Sequence, residues 1–134
     1  MLTKMLDEAQ VQRFQNYIDR AERFVLMAHV SPDGDAIGAS LGMYHFLTEI
    51  GKEQVDVIVP NEFPAFLKWM PGTKDILVYE RYPEYAQQLI SEADVLFNMD
   101  YNEPKRAGKL APFIEAAEGR KVMIDANADR KSVV

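Results

Sequence analysis

Five apolar runs of four or five residues are separated by segments of helix length, and this alternation admits only a small group of folds. The runs are Phe24–Ala28, Val55–Val59, Ile76–Tyr79, Val95–Met99 and Lys121–Ile124. Strand-length runs that alternate with amphipathic helix-length segments predict parallel connections rather than hairpins. The expected fold class is therefore α/β, with three layers and a mainly parallel five-stranded sheet flanked by helices.

The intervening segments carry helix signals. The first is expected from about Glu8 to Ala21, with Asp7 as N-cap and Val11, Phe14, Tyr17 and Ile18 on one face. The second, about Ala36 to Ile50, places Ile37, Leu41, Tyr44 and Leu47 near one stripe and stops before Gly51, a natural C-cap. Its small residues Gly38, Ala39 and Gly42 allow close packing. Asn61 is positioned to cap a short helix through Phe66, Leu67 and Trp69, which Pro71-Gly72 then ends. Pro83 to Ser91 opens with proline at N1, and Pro104 to Glu118 is a further helix-like segment.

Size and composition set outer bounds. With 134 residues, 48% of them apolar, the chain can bury one core, and it reads as a single domain. It has no cysteine, so neither disulfides nor thiolate ligands contribute, and the cytoplasm is the expected compartment. Met1 to Arg20 is polar and lacks an apolar signal core, and no run approaches membrane-spanning length. A formal charge of −6 argues against a broad grip on duplex DNA. Small phosphorylated substrates stay open, because bound divalent ions would present positive charge locally.

The first apolar run leads into His29-Val30-Ser31-Pro32-Asp33-Gly34-Asp35 and directly on into a helix. One imidazole and two carboxylates thus share a turn at the end of a strand, where open α/β sheets hold ligands. Those donor types suit Mn²⁺, Zn²⁺ or Fe²⁺. Asp100 ends the fourth run and Asp125 the fifth. If these strands are parallel, His29, Asp33, Asp35, Asp100 and Asp125 converge on one sheet edge. Two cations held there roughly 3.5–4 Å apart would suit attack of water on a phosphate ester.

The string HVSPDGDAIGAS at 29 to 40, the strand-terminal Asp100, and Ile124-Asp125 resemble the successive motifs of the DHH phosphoesterase superfamily. The subgroup they are most similar to contains the nano-RNase and 3′-phosphoadenosine-5′-phosphate phosphatase enzymes, also labelled exopolyphosphatase-related. The resemblance spans most of the chain. It implies a two-Mn²⁺ site in which His29 and Asp33 hold one ion, Asp35 holds the other and Asp100 bridges both. It further implies short single-stranded RNA or nucleotide phosphates as substrates.

Two departures qualify that implication. Where the family has Asp-His-His, this chain has Asp125-Ala126-Asn127, so both imidazoles are replaced. By resemblance, the first histidine ligates the second metal and the second contacts the scissile phosphate. Asn127 can donate a hydrogen bond but cannot do an imidazole's proton chemistry, and His45 lies mid-helix, away from the motif. The sequence also stops at Val134, short of the family's carboxy-terminal substrate-binding domain, so the expectation is a catalytic half with impaired hydrolysis, either truncated or engineered or a natural degenerate paralogue.

Each candidate also has a structural reading. Asp33-Gly34-Asp35 is a polar turn in which Asp35 can cap the next helix, Asp100 can simply end a strand, and Asp125 can orient local backbone. Arg106 can meet a substrate phosphate or sit solvated at a helix start. Phe63, Phe66, Leu67, Trp69 and Met70 form a stripe suited to packing, to a nucleotide groove, or to association with a second copy. The alternative function is a non-catalytic α/β binding or assembly domain. A dinucleotide-binding fold is disfavoured, since the first turn lacks GxGxxG spacing.

Overall fold

From Phe24 to Ala28 successive side chains alternate across the sheet. Phe24, Leu26 and Ala28 enter one hydrophobic cluster, and Val25 and Met27 enter another on the opposite face. A strand buried on both sides must be covered on both sides, which is the usual condition of a parallel sheet. The computed structural model describes residues 8–28, 34–63, 65–70, 72–99 and 108–124.

Helix α1 (Glu8–Arg20) leads into β1 (Arg23–Met27), α2 (Gly34–Glu49) and β2 (Gln54–Val59). Two 3₁₀ turns, Ala65–Trp69 and Thr73–Asp75, precede β3 (Leu77–Val78). Helix α3 (Pro83–Glu92), β4 (Val95–Met99), α4 (Ala111–Ala116) and β5 (Arg120–Ile124) complete the order. The five strands form one sheet in the order β3-β2-β1-β4-β5, and every neighbouring pair is parallel. The α/β class and the flanked parallel sheet expected from the sequence are thus observed.

Ile18 of α1 and Ile37, Leu41 and Leu47 of α2 pack on one face with Phe24, Val57 and Phe97. Ala86 and Ile90 of α3 and Ile114 of α4 pack on the other with Met27, Ile58 and Leu96. From β1 the chain steps one way through α2, and from β4 it steps the other way through α4. Right-handed crossovers then require the two helices to lie on opposite faces, as they do.

The amino edge of the sheet is held by Asp94. Its carboxylate accepts the backbone N–H groups of Glu22 at 2.9 Å and Arg23 at 3.0 Å. Its own backbone N–H donates to Arg23 O at 2.8 Å, and its carbonyl accepts Arg120 N–H at 2.8 Å. One residue thereby ties the starts of β1, β4 and β5. Gly119 makes the last of these possible, because a Cβ there would run into the Ala93 carbonyl and lie 3.0 Å from Asp94 O. Lys52 closes the end of α1 by donating from Nζ to Ala21 O at 3.0 Å.

Several local expectations need correction. Tyr17 does not share the buried face with Ile18, which is 5% exposed; Tyr17 is 40% exposed and lies under the Arg120 guanidinium. The third strand has two residues rather than four, although Tyr79 N–H still reaches Val59 O at 2.9 Å. The last helix ends at Ala116, because the chain must turn at Ala117 to bring Gly119 against Ala93. After Asn61 there is a 3₁₀ turn starting at Ala65, and the aromatic stripe is split between buried Phe63 and Trp69, which is 75% exposed. Gly51 ends α2 as expected, with φ 101° and its N–H on Thr48 O. Asp7 lies outside the described residues.

Candidate functional site

The strand order reverses between β1 and β4. From β1 the chain builds outward through β2 to β3, then returns to place β4 on the other side of β1 and β5 beyond it. In open α/β sheets this reversal leaves a crevice outside the carboxyl ends of the two central strands, and ligands bind there. The segment following β1 carries His29 to Asp35, and the residue following β4 is Asp100.

Register sharpens the relation. Met27 stands opposite Asn98 across β1 and β4, and Asn98 opposite Met123 across β4 and β5. The three strands therefore share one rung near their carboxyl ends. His29, Asp33, Asp100, Arg106 and Asp125 lie outside the described residues. Asp35 is the second residue of α2 by its backbone, and its side chain is likewise not described.

Two buried polar residues near this edge escaped the sequence reading. Asn98 is 6% exposed inside an otherwise apolar strand, two positions before Asp100. The signal was available, since an amide in a buried strand requires compensation by hydrogen bonding. Ser40 closes the HVSPDGDAIGAS string; it is fully buried on α2, and its Oγ has no hydrogen-bond partner among the described residues. An unpaired buried hydroxyl costs on the order of 1–3 kcal/mol, so it marks a place where packing alone does not dictate the residue.

His45 cannot supply a missing imidazole. It is exposed on α2, eleven residues after the helix start at the carboxyl edge, which is about 16 Å along the axis. Asp56 on β2, half-buried beside Val25, has its carboxyl raised above the ordinary 3.8 by loss of hydration. It lies along the strand, not at the switch point. Among the described residues no group of three or more His, Cys, Asp and Glu side chains could hold a metal ion. No described helix is long and apolar enough to cross a membrane.

Comparison with known proteins agrees with this architecture. Residues 23–131 match the family model described as the DHH family, N-terminal domain. The bifunctional oligoribonuclease and PAP phosphatase NrnA of Thermus thermophilus is 40% identical over 81 residues, which cover 60% of this chain and 22% of that protein. The crystal structure of an exopolyphosphatase-related protein from Bacteroides fragilis superposes with a TM-score of 0.85 at 53% identity, over 89% of this chain and 35% of that one. The chain thus spans between about a fifth and a third of these two relatives' lengths.

Proposed function

Because the chain belongs to the DHH family, we propose that it is the metal-binding part of a phosphoesterase acting on short oligoribonucleotides or small nucleotide phosphates, with hydrolysis weakened at its third motif. The observation that carries this reading is the common rung of Met27, Asn98 and Met123. Two residues beyond it the sequence supplies His29, Asp100 and Asp125. Two peptide links allow each of their Cα atoms to lie at most about 7 Å from its own residue of that rung, whose strands are spaced about 4.8 Å apart.

One imidazole and four carboxylates, without any thiolate, make a donor set suited to Mn²⁺. In this reading His29 and Asp33 would hold one ion and Asp35 the other, Asp100 would serve as a ligand to both, and Asp125 would complete the acidic edge. When bound, the ions supply positive charge to the phosphate and lower the pKa of a water nucleophile. The protein's own contribution is placement. The four carboxylates repel a phosphate ester until cations neutralise their charge, so substrate capture is conditional on those cations. Arg106 offers a planar fork to a phosphate oxygen pair. Ala126 offers nothing in place of an imidazole, and Asn127 offers a donor that cannot exchange protons at neutral pH.

The substrate class is supported by the Thermus relative's designation as oligoribonuclease and PAP phosphatase. The test is release of mononucleotide from a labelled pentaribonucleotide, and of phosphate from a nucleotide bisphosphate, by the full chain with Mn²⁺. Asp100→Asn should lower the rate on the order of 10²–10³-fold, the scale of losing one electrostatic stabiliser. In parallel, His29→Ala should weaken calorimetric Mn²⁺ binding. Equal rates for Asp100→Asn and the parent chain would overturn the assignment. Nucleotide binding without any turnover would identify a non-catalytic binding domain, the reading that Ala126 and Asn127 favour.

A further inference from the structure

Helix α1 turns a basic stripe to solvent. Arg13, Asn16, Tyr17 and Arg20, at i, i+3, i+4 and i+7, line an open groove of about 240 Å³. A third guanidinium stands beside it, where Arg120 of β5 lies over the ring of the groove residue Tyr17 at 4.5 Å from the centroid. Among the described residues none of these three arginines forms an ion pair; the pairs there engage Arg23, Lys68 and Arg81 instead. In a chain of net charge −6, three guanidinium groups with no ion pair among the described residues, two on the groove and one beside it, form a local field of the opposite sign. Such a concentration repels itself and attracts an anion.

The spacing says what kind of anion. Arg13 and Arg20 are seven residues apart, about 10.5 Å along the helix axis, so forks extended from the two positions can each meet a different anionic group. Two or more anionic groups along a chain match that separation. Between them Tyr17 is 40% exposed under the Arg120 guanidinium, which its ring holds in place. A positively charged groove that tracks the backbone holds single strands without sequence readout, since every link carries a charge whatever its base. The groove starts at the amino edge of the sheet, where α1 ends and β5 begins, whereas the candidate catalytic residues follow the carboxyl ends.

We propose that the α1–β5 face binds successive phosphates of a single-stranded oligonucleotide, as a holding surface separate from the switch-point crevice. The identity of the strand rests on the phosphoesterase reading, while the three arginines and their spacing stand apart from it. On this basis strands long enough to reach α1 are retained better than dinucleotides.

The experiment is fluorescence anisotropy of a labelled octaribonucleotide with the full chain in EDTA, where hydrolysis cannot occur, titrated at several NaCl concentrations. Replacing both arginines in Arg13→Gln/Arg20→Gln should weaken binding about tenfold or more and lower the slope of log K against log salt by about 1.4, or 0.7 per lost phosphate contact. Arg120→Gln should lower it by about 0.7. Arg13→Lys/Arg20→Lys, which keeps both charges, should preserve the slope. Unchanged affinity and slope in the Gln variants would overturn the proposal. So would equal displacement of the strand by tripolyphosphate and by unlabelled RNA at matched phosphate concentration. Arginine-dependent binding without Mn²⁺ turnover sinks only the phosphoesterase reading, and turnover without arginine-dependent binding sinks only this one.

Discussion

The Asp94 carboxylate accepts the backbone N–H of Arg23 at 3.0 Å, joining the turn before β4 to the first residue of β1 across 71 positions of sequence. The same carboxylate holds Glu22 N–H at 2.9 Å. Truncation by Asp94→Ala removes two charge-assisted bonds at once. The expected cost is about 1–2 kcal/mol, read as a lower urea midpoint with an unchanged m-value. A midpoint equal to that of the parent chain would show that water replaces both bonds without loss.

Asp56 gives a pH signature of opposite sense to an ion-paired acid. Burial raises its carboxyl above 3.8, so the folded protein holds the proton more tightly than the unfolded chain between the ordinary value and the raised one. Stability attributable to this group is greatest below the ordinary value and declines as pH rises through the raised one. At neutral pH the ionised carboxylate is a net burden. Asp56→Asn should therefore raise the thermal midpoint at pH 7, and the gain should shrink as pH falls through the raised value and level off below 3.8. A constant difference at all pH values would assign the effect to shape or hydrogen bonding instead.

The third motif permits a gain-of-function measurement. Ala126→His/Asn127→His restores both imidazoles after Asp125, and turnover of a short oligoribonucleotide with Mn²⁺ should rise on the order of 10²-fold, the scale of one positioned acid–base group. Unaltered turnover together with unaltered Mn²⁺ affinity would show that these two positions do not limit the site.

The sheet was legible in the sequence because its signal is local. Each strand is a short apolar run between turn residues, and five of them alternating with helical periodicity leave few arrangements. Helix faces were less legible. Tyr17 is adjacent to Ile18 and apolar enough to share its stripe, yet Arg120, more than a hundred positions later, gives its ring a partner outside the core. Asp94 was invisible for the same reason, since its partners depend on which strands become neighbours. The candidate ligands were legible as a motif because they follow strands directly. What sequence could not supply is the rung of Met27, Asn98 and Met123, which depends on register between strands and not on any single one.

The amino-edge clamp at Asp94 has a consequence for the far end of the sheet. Strands β1 and β4 lie side by side like staves gripped at one rim, and β1 runs about 16 Å from that grip to the crevice. A small rotation at the grip fans out over that length. The spacing of Met27 and Asn98 at the carboxyl end is thus set in part by a carboxylate at the opposite rim, so the accuracy of one end of the sheet is inherited from the other.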